Sequence, residues 1–371
     1  MRPGVGVSLR LVYAIIAISV LLISTQIPVS GQSSANGFIQ HNLASDLPNT
    51  AITNDGNLRN PWGIAFGPGG PFWIADNATG VATVYNGQAQ KLPITVTIPP
   101  PKGSTGHAAP TGTVFNGTGS FVVSSGGASG PATFIFATED GTISGWNQNV
   151  NASSAILMVD NSSAGAVYKG LAIVSGAGGS LLYATDFHNN LVQIFDGSFA
   201  MAGSFTDPTL PPGFAPFGIA NIGGLLYVSF ALQKPPDNHD DQSGPGNGFI
   251  DVFSTGGGLV RRFASGGPLN SPWGMTFASD FGPFSNAVLA GNFGDGAINA
   301  FDISTGTFLG QLTDQQGRPI FIDGLWSLTF GGGGLGGNPN VLYFTAGTNG
   351  EEDGLFGDLQ PAQSNSGIVN P

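Results

Sequence analysis

Six related segments of about 50 residues follow one another along this chain, and no other feature limits its possible folds as strongly. Each segment has a short apolar strand, a Gly-rich turn, a second strand that ends in a small or acidic residue, a polar turn, and a third strand that ends on an aromatic residue. Apolar–polar alternation between Gly, Asn and Asp turns is typical of β-hairpins, and no long window has the 3.6-residue period of a helix. The residues that mark the six segments are Gly63, Gly112, Gly170, Gly218, Gly274 and, in the sixth place, Ser327.

A fourth strand distinguishes a closed ring from an open array. Segments one to five each continue with one more strand, such as "KLPITVTI" and "TFLGQLTD", whereas the sixth ends without one. The unattached N-terminal strand "FIQHNLASD" (38–46) matches these in kind, so we expect it to complete the last segment and to leave few exposed edges. The prediction is an all-β, six-bladed β-propeller of four-stranded blades, with its ring closed by the N-terminal strand. The blades are predicted to start near residues 60, 109, 167, 215, 271 and 323.

The two ends of the chain differ from the repeat. Arg2 and Arg10 lead into an apolar run over 11–23, interrupted by Ser19 alone, which is short for a membrane span and typical of a secretory signal. Small residues favour cleavage between Gly31 and Gln32, and an uncleaved anchor is the alternative. We therefore expect a secreted protein, extracellular or periplasmic, with no membrane span after cleavage. The predicted parts are a signal peptide at 1–31, a propeller at 38–359 and a flexible tail at 360–371.

Charge and cysteine content exclude several classes of function. The chain has 10 basic and 22 acidic residues, and loss of the two signal arginines would change the net charge from -12 to -14 (8 minus 22). Nucleic acids and anionic membrane surfaces need a basic face, so neither is an expected partner. There is no cysteine, which excludes disulfides, thiolate metal sites and a Cys nucleophile. We expect a monomer held together by its core and by ring closure.

The blade motif resembles that of the NHL-repeat propellers. It is visible in "PWGIAF…FWIADNATGVATVYNG" and in "LLYATDFHNNLVQIFDG". Stretches such as "FIFATEDGTISGWN", "GNFGDGAINAFD" and "LYFTAGTNGEEDGLFG" are similar to those of a family of bacterial secreted proteins of uncharacterised function. The likeness extends through nearly all of 38–359. It implies a propeller fold and supplies no activity.

Polar residues recur in the turn between the second and third strands and in the loop that precedes each blade. In a propeller these loops share one face around the central channel, where we expect a small molecule, a glycan or a protein to bind. Turn chemistry alone also explains many of the Asp and Asn residues. A long insert in blade four (233–248) adds Asp237, His239, Asp240 and Asp241, and Lys169 lies at the entry of blade three. The candidate ligand-binding residues are Asp76, Asn77, His107, Glu139, Asp140, Asp186, His188, Asn292, Asp295, Asp323 and Glu351.

His188 is the candidate catalytic residue, because turn chemistry requires neither a histidine nor the Phe187 before it. Oxygen donors converging on a channel could bind Ca²⁺, and the imidazoles could bind Zn²⁺. The candidate metal ligands are Asp186, His188 and Glu139. Two functions therefore stay open: a non-enzymatic binding scaffold, and a metal-assisted hydrolase or lyase at the channel mouth with His188 as general base.

Two further patterns bear on this choice. Lactonase-type propellers hold a metal with an acid at the start of an inner strand, and here only Asp323 comes near that position, which disfavours this activity. Trp62, Trp273 and Trp326 recur where the inner strands begin, and packing between blades is a better explanation for them than stacking on sugars.

Overall fold

The computed structural model describes residues 37–176 and 179–362, together with Met1 and Gly4. The chain divides into two units, Met1–Ser34 and Ala35–Pro371, and the described strands all belong to the second. The predicted signal peptide and the residues after 362 lie outside the described part, apart from Met1 and Gly4. Within the described residues, no helix has the length and apolar character needed to span a membrane.

Six sheets form the ring, which confirms the six-bladed β-propeller. The first two strands in the chain are β1 (Phe38–Ser45) and β2 (Thr53–Asn54). Blade one has β3 (Pro61–Ala65), β4 (Phe72–Asp76), β5 (Val81–Tyr85) and β6 (Lys91–Thr97). Blade two has β7 (Pro110–Phe115), the hairpin β8 (Val122–Ser125) and β9 (Ala128–Pro131), and β10 (Phe134–Thr138), β11 (Thr142–Trp146) and β12 (Ile156–Asp160). Blade three has β13 (Tyr168–Gly176), β14 (Gly179–Asp186), β15 (Leu191–Phe195) and β16 (Met201–Phe205).

The remaining blades follow the same order, with the first strand innermost. Blade four has β17 (Phe214–Ile222), β18 (Leu225–Leu232), β19 (Phe249–Phe253) and β20 (Leu259–Ser265). Blade five has β21 (Pro272–Phe281), β22 (Phe284–Asn292), β23 (Ile298–Asp302) and β24 (Phe308–Gln311). Blade six has β25 (Leu325–Phe330), β26 (Leu342–Ala346) and β27 (Leu355–Pro361). Short helical turns occur at Asn77–Thr79, Ser162–Ala164, Gly334–Gly336 and Thr348–Glu351.

The N-terminal strand completes blade six, as predicted. Strand β1 pairs antiparallel with β27, and β2 adds a short parallel fifth strand. Phe38 is buried and its ring stacks on Phe281 of blade five at a centroid distance of 4.6 Å. Strand β27 continues to Pro361, past the predicted domain boundary at 359, because Pro361 and Gln360 pair with the start of β1.

The repeated glycines allow the inner strands to approach one another around the channel. A Cβ atom at Gly218 would lie 2.1 Å from the carbonyl oxygen of Trp273, and one at Gly274 would lie 2.3 Å from that of Trp326. Such distances are far below van der Waals contact, so only glycine allows this spacing. The spacing of the glycines in the sequence therefore marks where one blade packs against the next.

Candidate functional site

Six aromatic side chains close the central channel below its polar face. We call this group, Trp62, Phe187, Phe217, Trp273, Phe293 and Trp326, the aromatic plug. The Trp62 and Trp326 rings stack at a centroid distance of 3.4 Å, and Phe293 stacks on Trp326 at 4.0 Å. Trp273 lines a cavity of about 500 Å³ between the inner strands, whereas Trp62, Trp326 and Phe293 line a second cavity at the polar loops. The tryptophans thus pack against one another across blades, and the plug lies between the two cavities.

The second cavity, which we call the channel-mouth cavity, is built from the polar ends of the blades and from the blade-four insert. Its volume is about 310 Å³, at the lower end of the range of small-molecule sites. Charged and amide side chains form its walls, and the aromatic plug forms its floor. The lining residues are Asn60, Trp62, Asn77, Glu139, Lys169, Lys234, His239, Asp240, Asp241, Phe293, Trp326 and Glu351.

Lys169 and Glu139 form an ion pair in the wall of this cavity. Lys169 is only 3% exposed, and its Nζ lies 2.5 Å from Glu139 Oε1 and over the Trp62 ring at 5.3 Å. Asn77 Nδ2 donates to the other carboxylate oxygen at 2.9 Å. Burial by itself would raise the pKa of Glu139, but the charge and hydrogen bond of Lys169, with help from Asn77, lower that pKa below its ordinary value. Glu139 is therefore ionised at neutral pH.

Glu351 lines the same cavity in a different environment. Its Oε1 accepts a hydrogen bond from Asn60 Nδ2 at 3.2 Å, and Asn60 Oδ1 accepts one from the indole N–H of Trp326 at 3.1 Å. Burial, together with the negative charge of Glu139, raises the pKa of Glu351 to about 7, and the Asn60 bond offsets only part of this rise. The two glutamates thus have opposite pKa shifts within one cavity.

The blade-four insert brings His239 and Asp240 to the Lys169–Glu139 pair. His239 Nδ1 lies 2.9 Å from Asp240 Oδ1, and Lys169 Nζ lies 3.8 Å from the same oxygen. The hydrogen bond between His239 and Asp240 raises the pKa of His239 and lowers that of Asp240. The insert therefore supplies one wall of the cavity and four of its titratable side chains, those of Lys234, His239, Asp240 and Asp241.

Phe187 and His188 hold this insert in place. Gln233 Nε2 donates to the carbonyl of Phe187 at 2.6 Å and to that of His188 at 3.2 Å. His188 Nδ1 lies 2.8 Å from the carbonyl oxygen of Asp237, and the Phe187 ring is buried in the aromatic plug. The structure therefore places His188 against the insert and outside the lining of the channel-mouth cavity.

Of the candidate residues from the sequence, Asn77, Glu139 and Glu351 line the cavity, and the other eight do not. Most of those eight bond to nearby backbone or turn residues. Asp186 accepts from the backbone N–H of Val167 at 3.1 Å, and Asp140 accepts from that of Ala109 at 2.7 Å. The remaining contacts are Asp76 with Thr83, Asn292 with Asp295 and Pro268, and Asp323 with Asn349, while His107 is exposed.

A group of three possible metal ligands occurs among the described residues. It consists of Glu139, His239 and Asp240, whose ligand atoms lie within 4.8 Å of one another, rather than the predicted Asp186, His188 and Glu139. The Lys169 ammonium is already 2.5 Å from Glu139 and 3.8 Å from Asp240. A divalent ion at this position would lie against that positive charge, and the repulsion disfavours it.

Several cavity residues were not recognised as candidates from the sequence. Asn60 and Trp62 belong to "NPWG" and Trp326 to "DGLW", the motifs that begin the inner strands. The recurrence of these motifs indicated that their residues surround the channel. Packing between blades was a sufficient explanation for the recurrence, so they were not chosen as site residues. Which of them faces the cavity depends on side-chain directions that one blade does not determine.

Comparison with known proteins shows relatives in a virus. The chain is 33% identical over 332 residues to the uncharacterised protein R648 of Acanthamoeba polyphaga mimivirus, covering 85% of this chain and 78% of that protein. The uncharacterised protein L690 of the same virus is 33% identical over 320 residues, covering 82% and 81%. The chain belongs to the family of these two viral proteins. No protein-family model matches it, so the likeness to NHL repeats and to bacterial secreted proteins stays a prediction.

Solved structures agree on the fold. A streptogramin B lyase has a TM-score of 0.52 at 13% identity, covering 89% of this chain and 99% of the lyase. A catalytically inactive variant of virginiamycin B lyase from Staphylococcus aureus, with quinupristin, has a TM-score of 0.52 at 15% identity, covering 87% and 99%. At such low identity, these similarities support the propeller fold alone.

Proposed function

We propose that the protein is a binding scaffold whose channel-mouth cavity takes a small polyhydroxylated molecule, such as a sugar unit. The observation that carries this proposal is a set of buried polar groups with unused hydrogen-bonding capacity. Lys169 has three N–H donors, and Glu139 is its one hydrogen-bond acceptor among the described residues. The indole N–H of Trp62 and the Oδ2 atom of Asp241 have no partner in the described part of the chain. Buried polar groups without partners are costly, and a ligand that bonds to them would remove that cost.

The chemistry of the walls favours hydroxyl groups. The cavity holds donors and acceptors together: Lys169 and the Trp62 indole donate, whereas Glu139, Glu351 and Asp241 accept. A hydroxyl group both donates and accepts, so a ring with several hydroxyls matches this mixture better than a simple cation or anion does. Phe293, which is partly exposed at the cavity floor, offers an apolar surface for the ring.

Intrinsic fluorescence tests the proposal, because Trp62 and Trp326 lie at the cavity floor. The full chain is titrated with a panel of monosaccharides and disaccharides, and at least one is expected to change the emission in a saturable way. Lys169→Met should abolish that change, because it removes the three N–H donors of the ammonium from the cavity. Asp140→Asn is the matched control, since Asp140 bonds to the backbone of Ala109 outside the cavity. The proposal is wrong if no sugar binds at millimolar concentration, or if the control loses binding equally.

The alternative function is a metal-assisted hydrolase or lyase, which rests on the Glu139, His239 and Asp240 group. Metal analysis of the purified protein tests the predicted divalent cation, and comparison of wild type with His239→Ala and His188→Ala distinguishes the two sets of ligands.

We also propose secretion, based on the signal pattern in the sequence; N-terminal sequencing of the exported protein should find Gln32 first.

A further inference from the structure

Two carboxyl groups with opposite surroundings, those of Glu139 and Glu351, line the channel-mouth cavity. Glu139 touches the Lys169 ammonium and accepts a second bond from Asn77, so its charged form is favoured. Glu351 has one amide donor, Asn60, and faces the negative charges of Glu139 and Asp240, with Lys169 acting in the opposite direction. Near pH 7 Glu139 is ionised while Glu351 exchanges its proton, and a pair of carboxyls that differ in this way is the arrangement that general acid–base chemistry requires.

The neighbourhood of Glu351 carries two further signs of a site. The indole N–H of Trp62, in the wall of the same cavity, is 1% exposed and has no hydrogen-bond partner in the described residues. Glu351 itself has a φ of 69°. A left-handed backbone is unfavourable for glutamate, and strain of this kind is found where a side chain must be held in one place.

We propose that the channel-mouth cavity hydrolyses a glycosidic bond of its bound saccharide, with Glu351 as general acid and Glu139 as general base. This inference rests on the proposed function, since it needs a saccharide in the cavity. Glu351 donates its proton to the oxygen of the leaving sugar as the glycosidic C–O bond breaks. A water oxygen bonds to the anomeric carbon, and Glu139 takes the proton that this water loses. One water is consumed, two hydroxyl groups form, and the proton on Glu139 returns to Glu351 through solvent.

The other residues have supporting roles in this step. Lys169 and Asn77 hold both oxygens of Glu139, and Lys169 keeps that carboxylate ionised. Asn60 holds Glu351 through Oε1. His239 and Asp240, on the insert, lie beside the ion pair, with Asp240 Oδ1 3.8 Å from Lys169 Nζ.

The test uses the full chain and a panel of 4-nitrophenyl glycosides, with release of nitrophenol as the readout. At least one glycoside should be hydrolysed, and the rate should fall above about pH 7 as Glu351 loses its proton. Glu351→Gln and Glu139→Gln should each lower kcat by about 100-fold or more. Glu352→Gln is the matched control, because the neighbouring Glu352 is exposed and pairs with Arg59 outside the cavity. Its rate should equal that of the wild type.

Binding of the same glycosides is followed by tryptophan fluorescence, so that the two proposals fail separately. Binding without turnover overturns the catalytic proposal and leaves the binding proposal intact. Absence of both overturns both. Turnover that persists in Glu351→Gln and Glu139→Gln also overturns the assignment. Retained binding in the two variants shows that a lost rate is not lost folding.

Discussion

Carboxyl groups lie beside a basic side chain in two places, the channel-mouth cavity and a second cluster in the outer part of blade four. The surroundings of the two clusters differ. In the second cluster, which we call the blade-four clasp, the Arg262 guanidinium bonds to Asp207 and Asp251. Burial and the neighbouring Asp207 raise the pKa of Asp251 to about 7, whereas hydrogen bonds from Thr209 and Arg262 outweigh burial and lower that of Asp207 to about 2. Each cluster thus holds one carboxyl with a raised pKa beside one with a lowered pKa.

The clusters differ in what surrounds these carboxyls. Both aspartate side chains of the clasp are 0% exposed, and Arg262 joins a loop before blade four to strands β19 and β20. In the channel-mouth cavity the corresponding groups face an open volume and keep unused donors. A perturbed pKa alone therefore does not distinguish a structural ion pair from a functional site; the adjacent space and the free hydrogen-bonding capacity do.

The largest effect is expected from removing the centre of the clasp. Arg262→Met leaves two buried aspartates without their cation and should lower the free energy of unfolding by about 3–5 kcal/mol. Urea denaturation measures this loss. Arg261→Met is the control, because Arg261 donates to the carbonyls of Ser304 and Ile303 and forms no ion pair with a carboxylate among the described residues, and about 1 kcal/mol is expected there. Equal losses in the two variants would contradict a structural role for the clasp.

The pH dependence of stability should depend on Asp251. Its folded pKa is about 7 and its ordinary value is 3.8, so the folded state binds the proton more tightly. The stabilising contribution of Asp251 is therefore fully present below pH 4. It falls by up to ~4 kcal/mol as the pH rises to about 7. Asp251→Asn should remove this fall. Denaturation curves between pH 4 and 8 test it, and an unchanged slope in the variant would refute the prediction.

The contribution of Glu351 to the pH dependence of stability should have the same direction as that of Asp251 and a smaller size. Its folded pKa of about 7 also exceeds its ordinary value of 4.5, so stability is lost as the pH rises through about 7. Because Glu351 is only half-buried and solvent screens it, we expect a change of about 1 kcal/mol. Glu351→Gln should remove that change, whereas Glu352→Gln should keep it. A Glu351 effect as large as that of Asp251 would contradict the difference between the clusters.

The smallest effect is expected at the anchor of the insert. His188→Ala removes the contact with the Asp237 carbonyl, worth about 1 kcal/mol, and leaves the blade core unchanged. Hydrogen–deuterium exchange should be faster in 233–248 and unaltered in β14 and β15. His107→Ala, at an exposed histidine before blade two, should alter neither. Unchanged exchange in the insert would mean that Gln233 and Phe187 suffice to hold it.

The repeat predicted most of the fold and part of the site. Each inner strand begins within two residues of a predicted blade start, and the N-terminal strand pairs as expected. Aligning the turns found Asn77, Glu139 and Glu351, and the entry of blade three contained Lys169. The same alignment also collected Asp140 and others whose carboxylates bond to backbone N–H groups. The sequence alone does not distinguish an acidic residue whose carboxylate bonds to a turn backbone from one whose carboxylate faces a cavity.

By itself, the sequence determined the ring of six blades, because alternation, turn residues and glycine spacing act over a few residues and recur in every blade. The tertiary structure alone decided which polar groups meet. Glu139, Lys169 and Glu351 come from blades two, three and six, and they become neighbours only when the ring closes. The role of His188 was decided in the same way, because the insert that it contacts begins 45 residues later in the chain.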